Sequence, residues 1–176
     1  MFEESILSSE SLERYMTSTE KKKRIWIFQH YASPPHLGGL TRAYDFGKQL
    51  MIKGYDVKVF SSSFLHFSGA NYIQNDVKYI EDNSTEVPFI FIKTFPYRGS
   101  GIRRIVNMVS FYFGLLSITK QKKLERPDAI IASSPHPLTL LAGLKIAKKL
   151  SVQCICEIRD LWPESFVAYD IIKKDS

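Results

Sequence analysis

Cysteine is scarce in this 176-residue sequence, which has only Cys154 and Cys156. Two apart on an expected strand, they point to one face and are poorly placed to bridge each other. Without a signal-peptide pattern before them, they favour a reducing, cytoplasmic setting over a disulfide scaffold. Long apolar runs are also missing. The nearest, IVNMVSFYFGLLSIT (105–119), falls short of the roughly 18 residues a spanning helix needs, and it carries Asn107 and two serines. The nucleotide fingerprints G-x-G-x-x-G and G-x-x-x-x-G-K-[ST] are absent, as is the G-x-S-x-G nucleophile elbow. The four histidines, His30, His36, His66 and His136, sit in no Cys/His/Asp spacing that makes a metal site. No metal is therefore expected.

What is present is positive charge and aromatic surface. The net charge is +6 and the isoelectric point is near 9.2, which inclines the chain toward anions: phosphate ligands, acidic lipid or nucleic acid. Twelve Phe and nine Tyr beside the basic residues suit a membrane interface or base stacking. At 44% apolar and 24% charged residues, the composition is that of one globular domain able to bury a core.

Residues 1–22 are polar, with little periodicity, and read as a mobile tail. From Arg24 the pattern changes. RIWIFQ reads as a buried strand, and a loop with Gly38 and Gly39 follows it. LTRAYDFGKQLMIKGY has helical spacing that closes at Gly54, and DVKVFSS is a second strand. This is the βαβ pattern of a parallel sheet. NDVKYIED and PFIFIKTF are two further strands, and residues 102–123 a long helix. DAIIAS, LTLLAGLKIAKKL and VQCICEI then give strand, helix, strand. The expected fold is α/β, a Rossmann-like parallel sheet flanked by helices, with ligands at the carboxyl ends of the strands.

Three strand ends carry chemistry. Gly38 and Gly39 expose backbone N–H groups before a helix, where a phosphate oxygen would sit, or they only permit a tight turn. Ser133, Ser134 and His136 lie in the stiff loop SSPHP, which suits sugar hydroxyls or a phosphate but equally a capping turn. The stretch CEIRDLWPES places Glu157, Arg159, Asp160 and Glu164 around Trp162. It offers a carboxylate to take a proton and a cation to hold an anion, or a structural ion pair. The helix at 102–123 has basic flanks: Arg98, Arg103 and Arg104 before it, Lys120, Lys122 and Lys123 after. It reads either as a core helix with solvated ends or as one that also leans on an anionic membrane.

Taken together, GGLTRAYDFGKQLMIKGYDVKVFSS, PDAIIASSPHPLTLLAGLKIAKKL and CEIRDLWPESF resemble the N-terminal half of family 4 glycosyltransferases. The likeness runs over residues 23–172 and leans toward the L-fucosamine transferase-like branch of bacterial capsule, O-antigen and exopolysaccharide synthesis. The resemblance implies the acceptor-side domain of a retaining GT-B transferase (hexosyltransferase type), with a lipid-linked glycan acceptor and a nucleotide-sugar donor as substrates and no further cofactor. It implies Gly38 and Gly39 near the donor diphosphate, and Ser134, His136 and Glu164 facing the acceptor. It puts Arg159 or Asp160 in the catalytic neighbourhood, without deciding which is the base. Arg103, Arg104, Lys120, Lys122 and Lys123 become membrane contacts on the cytoplasmic face. The family's donor-binding half would follow residue 176, so the expectation is a domain of a longer chain, a truncated reading frame, or half of a divided enzyme with a separate donor-binding chain. Alone it is expected to be nearly inactive. The alternatives are a non-catalytic acceptor-binding or anchoring subunit, and a basic α/β domain for nucleic acid, for which no strand end speaks.

Overall fold

A computed structural model describes residues 21–99, 101–121 and 124–159. Six strands, β1 (Arg24–Gln29), β2 (Asp56–Ser62), β3 (Tyr79–Asp82), β4 (Phe89–Ile92), β5 (Ala129–Ser133) and β6 (Gln153–Glu157), form one sheet in the order β3-β4-β2-β1-β5-β6. All neighbours pair parallel except β3, which runs antiparallel along β4 at the edge. Three helices cover the sheet: α1 (Arg42–Ile52), α2 (Ile102–Ile118) and α3 (Pro137–Leu150). The five parallel strands have the Rossmann order, and the direction of winding reverses between β1 and β5. The chain is thus a Rossmann-like α/β protein.

Central β1 explains the layering. All six of its residues are buried. Because alternate side chains point to opposite faces, Trp26 and Phe28 enter the core under α2 and α3 while Ile25 and Ile27 enter the one on the α1 side. Trp26, Phe28 and Phe60 pack ring against ring, with centroids 5.0–6.2 Å apart. Each such fully buried side chain contributes roughly 1.5–3 kcal/mol. At the amino end of the sheet, buried Arg24 ties three segments together. Its Nε donates to Asp56 Oδ2 at 2.8 Å, its Nη1 to the Arg126 carbonyl at 3.0 Å, and its Nη2 to Glu125.

Some boundaries differ from the sequence pattern. Only the last four residues of NDVKYIED pair as β3; before them, the Asn75 carbonyl and Asp76 Oδ1 accept from Lys93 Nζ. Helix α2 stops at Ile118, with Thr119 as its cap. Gly54 does close α1: it has φ +89°, its N–H reaches the Met51 carbonyl, and the Tyr55 N–H reaches that of Leu50. Among the described residues no helix is long and apolar enough to cross a membrane.

Helix and sheet approach closely at Gly143 of α3. A Cβ there would lie 2.6 Å from the Cβ of Ala132 on β5 and 3.2 Å from Cys154 Sγ. Alanine is the better helix former by about 1 kcal/mol, but overpacking costs about 1–3 kcal/mol, and a Cβ fixed to the sheet backbone cannot swing aside. Gly143→Ala should lower stability by about 1 kcal/mol net, read as a lower urea midpoint at unchanged slope. A raised midpoint would mean that α3 slides freely on the sheet.

Candidate functional site

The carboxyl ends of β1, β2, β4 and β5 meet the first half of α2 in a buried polar cluster. Asn107, fully buried on α2, uses both ends of its amide. Its Nδ2 donates to the Phe95 carbonyl at 2.6 Å and to Thr94 Oγ1 at 3.0 Å, while Oδ1 faces His30 Nε2 at 2.7 Å. Thr94 shares a 2.7 Å hydrogen bond with the Ser62 hydroxyl. His30, just past β1, meets His136 across the switch point, its Nδ1 lying 2.9 Å from His136 Nε2.

This network fixes its own protons. The Phe95 carbonyl can only accept, so the amide nitrogen faces it and Oδ1 faces His30. His30 Nε2 then carries the hydrogen, His30 Nδ1 is a lone pair, and His136 Nε2–H donates to it. His136 is left with a bare Nδ1, buried and without a hydrogen-bond partner among the described residues. An unpaired buried acceptor is costly, and the group that satisfies it must offer a donor such as a hydroxyl.

Both rings are held neutral. Burial pushes His30 well below the usual 6.5 and His136 pushes it further; the Asn107 bond opposes them, and Arg104 adds a smaller downward push. His136 is pushed down to about 4, by burial first and by Arg104 second. The relay ends at an amide, which cannot take a proton. At neutral pH the pair can therefore accept a hydrogen bond but is not suited to storing a proton.

Arg104 stands at the rim of the cluster. Its Nε donates to Tyr31 Oη at 3.2 Å, and its guanidinium lies over the Tyr31 ring, 5.7 Å from the centroid. His66 Nδ1 contacts Tyr97 Oη at 2.6 Å beside it. Of the basic residues flanking α2, Arg104 thus turns toward the strand ends, while Arg103 and Lys120 are exposed. Lys122 and Lys123 lie outside the described residues.

A second group gathers at β6. Glu157 pairs with Arg42 of α1, and its Oε2 accepts from Ser133 Oγ at 2.6 Å. Both carboxylate oxygens are therefore taken. Ser134 is tied in by its N–H to the Glu157 carbonyl at 2.9 Å, and its Oγ accepts from the Arg159 N–H at 2.8 Å. Arg159 is exposed. Asp160 and Glu164, with Trp162, lie outside the described residues.

Gly38 and Gly39 join the short 3-10 turn Pro35–Leu37 to α1, with φ of +68° and +95°. A Cβ on Gly39 would meet Ser33 Oγ at 2.7 Å and the Phe67 ring at 3.0 Å, so packing adds to the positive φ in favouring glycine there. Asp45, which accepts from the Thr41 hydroxyl at 3.0 Å, places a negative charge in the first turn of α1.

The chain matches no protein-family model and no curated protein. Among solved structures, the C-terminal domain of a hydrogenase from Pyrococcus furiosus is similar at 12% identity, over 77% of this chain and 90% of that one, with a TM-score of 0.49. Nothing about function is carried across from it.

Of the cluster's residues, local sequence pattern marks His136 and Ser134 as site candidates but not His30, Asn107, Thr94 or Tyr31. Asn107 carried a usable signal, an amide inside an apolar helical run. His30 and His136 are 106 positions apart, and no local pattern pairs them.

The cluster makes stability depend on pH. Both histidines have depressed folded pKa values, so the unfolded chain binds more protons below 6.5. Their contribution is complete above about 6.5 and is lost as the pH falls toward 4. Each withheld proton tilts stability by up to about 1.4 kcal/mol per pH unit. Asn107→Asp would set a carboxylate against His30 Nε2–H and favour its charged form. Urea midpoints taken between about pH 7 and pH 5 should fall less steeply in the variant than in the parent, whatever its absolute stability. Equal slopes would contradict the network described.

Proposed function

We propose that this chain is the acceptor-side domain of a retaining GT-B glycosyltransferase. It would help move a sugar from a nucleotide-sugar donor to a lipid-linked acceptor in bacterial surface polysaccharide synthesis, at the inner face of the cytoplasmic membrane. The observation that supports this reading is the division of α2 into two faces. One face carries Asn107, Phe111, Leu115 and Ile118 inward, and Asn107 organises the neutral hydrogen-bonding cluster. The other exposes Ile102, Ile105, Val106, Val109 and Phe113 at helical spacing, joined by exposed Phe95.

Neutral acceptors and hydroxyls at the strand ends suit a sugar, and an exposed apolar stripe with Arg98, Arg103 and Lys120 around it suits an anionic lipid surface. A lipid-linked sugar is a ligand with both parts. In this reading His136 accepts a hydrogen bond from an acceptor hydroxyl, held in its tautomer by His30 and Asn107. Ser134 and the Arg159 backbone hold the neighbouring wall, and the glycine pair lies toward the donor diphosphate. Asp160, Arg159 and Glu164 remain the candidates for work on the reacting groups.

Co-sedimentation with vesicles tests the reading. The chain should bind anionic vesicles, more so when they contain a polyprenyl-diphosphate sugar. Arg103→Glu should weaken binding by about tenfold or more, since each basic residue near an anionic surface contributes about 1 kcal/mol. Ile105→Ser should weaken it in neutral and anionic vesicles alike. Failure to bind under all of these conditions would remove the membrane-bound acceptor from the proposal.

A further inference from the structure

Arg98, before α2, and Arg104, in its first turn, line a cavity of about 470 Å³ together with Phe64, His66, Phe67 and Tyr97. No carboxylate lines it. None of the ion pairs among the described residues involves Arg98, Arg103 or Arg104. The first turn of α2 has no acidic residue, and its cap Gly101 offers no side chain. Three guanidinium groups therefore crowd the positive end of a 17-residue helix, an arrangement that the helix dipole opposes until an anion joins it.

The walls are held in place. Tyr31 and Tyr97 are both more than nine-tenths buried. Tyr31 Oη accepts from Arg104 Nε, which leaves both terminal nitrogens of that guanidinium as donors, in the fork geometry that matches phosphate oxygens. Tyr97 holds His66 by its hydroxyl, and its ring also packs on Phe64 with centroids 4.7 Å apart.

We propose that Arg98 and Arg104 form a phosphate-ester or diphosphate site, walled by His66, Phe67 and Tyr97 and placed between the His30–His136 cluster and the exposed apolar face of α2. Only the identity of the ligand rests on the acceptor reading. If that reading holds, the anion is the diphosphate of the lipid carrier, with its sugar toward His136 and its prenyl chain along Ile102 and Ile105. The cation-lined cavity stands without it.

His66 is a built-in reporter. Tyr97, Tyr31 and Arg104 face it, and its pKa is depressed by burial and then by Arg104. An anion bound at Arg104 would offset that cation and raise it. The experiment follows the His66 ring signal by NMR across pH with inorganic pyrophosphate, farnesyl diphosphate and phosphatidylglycerol vesicles as separate probes. The chain is compared with Arg104→Gln and with Arg98→Gln, whose exposed position spares the fold. The expected result is an upward His66 shift with pyrophosphate and with farnesyl diphosphate, and about tenfold weaker binding of both in each variant. Tighter binding of farnesyl diphosphate than of pyrophosphate would assign the anion to a prenyl carrier; equal binding would assign it to a soluble diphosphate. A shift only with phosphatidylglycerol would replace the site by a headgroup contact and overturn it. So would pyrophosphate binding unchanged in both variants, or no binding. Loss of vesicle binding with Arg104-dependent pyrophosphate binding intact would sink the acceptor reading and leave the site standing.

Discussion

The carboxyl end of the sheet depends on one side chain, the buried amide of Asn107. Its two donors close on the Phe95 carbonyl and Thr94, its oxygen accepts from His30, and Ser62 and His136 extend the chain at either end. In this way β1, β2, β4, β5 and α2 are joined by hydrogen bonds through a region from which water is largely excluded. A buried polar network of this kind is worthwhile only when nearly every member is satisfied, because each orphaned group costs as much as a good contact gains. Here one nitrogen is left over, and it lies at the topological switch point of the sheet, where open α/β folds take ligands.

The same network decides which chemistry His136 can offer. A carboxylate at position 107 would hold positive charge on the rings and make the pair a reservoir for protons. An amide, together with a nearby arginine, does the opposite. The pair remains neutral and presents an acceptor in a fixed direction, while positive charge is concentrated a few ångströms away at Arg104. In the proposed reading, neutral acceptors at the strand ends serve hydroxyls, and the arginines at the start of the helix, which make no ion pair among the described residues, serve an anion.

Much of the fold was legible in the sequence, and the reasons are local. Strands β1 and β2 coincide with RIWIFQ and DVKVFSS because a doubly covered parallel strand is an unbroken β-rich run bounded by turn residues. Gly54 announced the end of α1 through backbone conformation alone. Strand β3 is shorter than its pattern, and Lys93 Nζ holds the segment before it by tertiary bonds that no pattern contains. The site was legible only in part. SSPHP and CEIRDLWPES did mark strand ends that meet, through Glu157, Ser133 and Ser134. The sequence could not say that Glu157 would pair with Arg42, or that Gly39 would lie against Ser33 and Phe67.

Helix α2 shows why pattern alone left two readings open. An apolar run with Asn107 near its first turns looks equally like a core helix and a surface-seeking one. The choice is not between these, because the helix is divided by angle. Positions 107, 111, 115 and 118 face the sheet, and 102, 105, 106, 109 and 113 face outward. A helix only covering a sheet would place polar residues on that outer face. Apolar residues there stay in contact with water whenever the face is bare, so their presence is a cost unless something covers them. Asn107 sits on the inner face within the same turns as Ile105 and Val109. Any surface that draws the outer face of α2 also bears on the amide that holds His30 and His136, and a rigid helix makes docking and site geometry one mechanical problem.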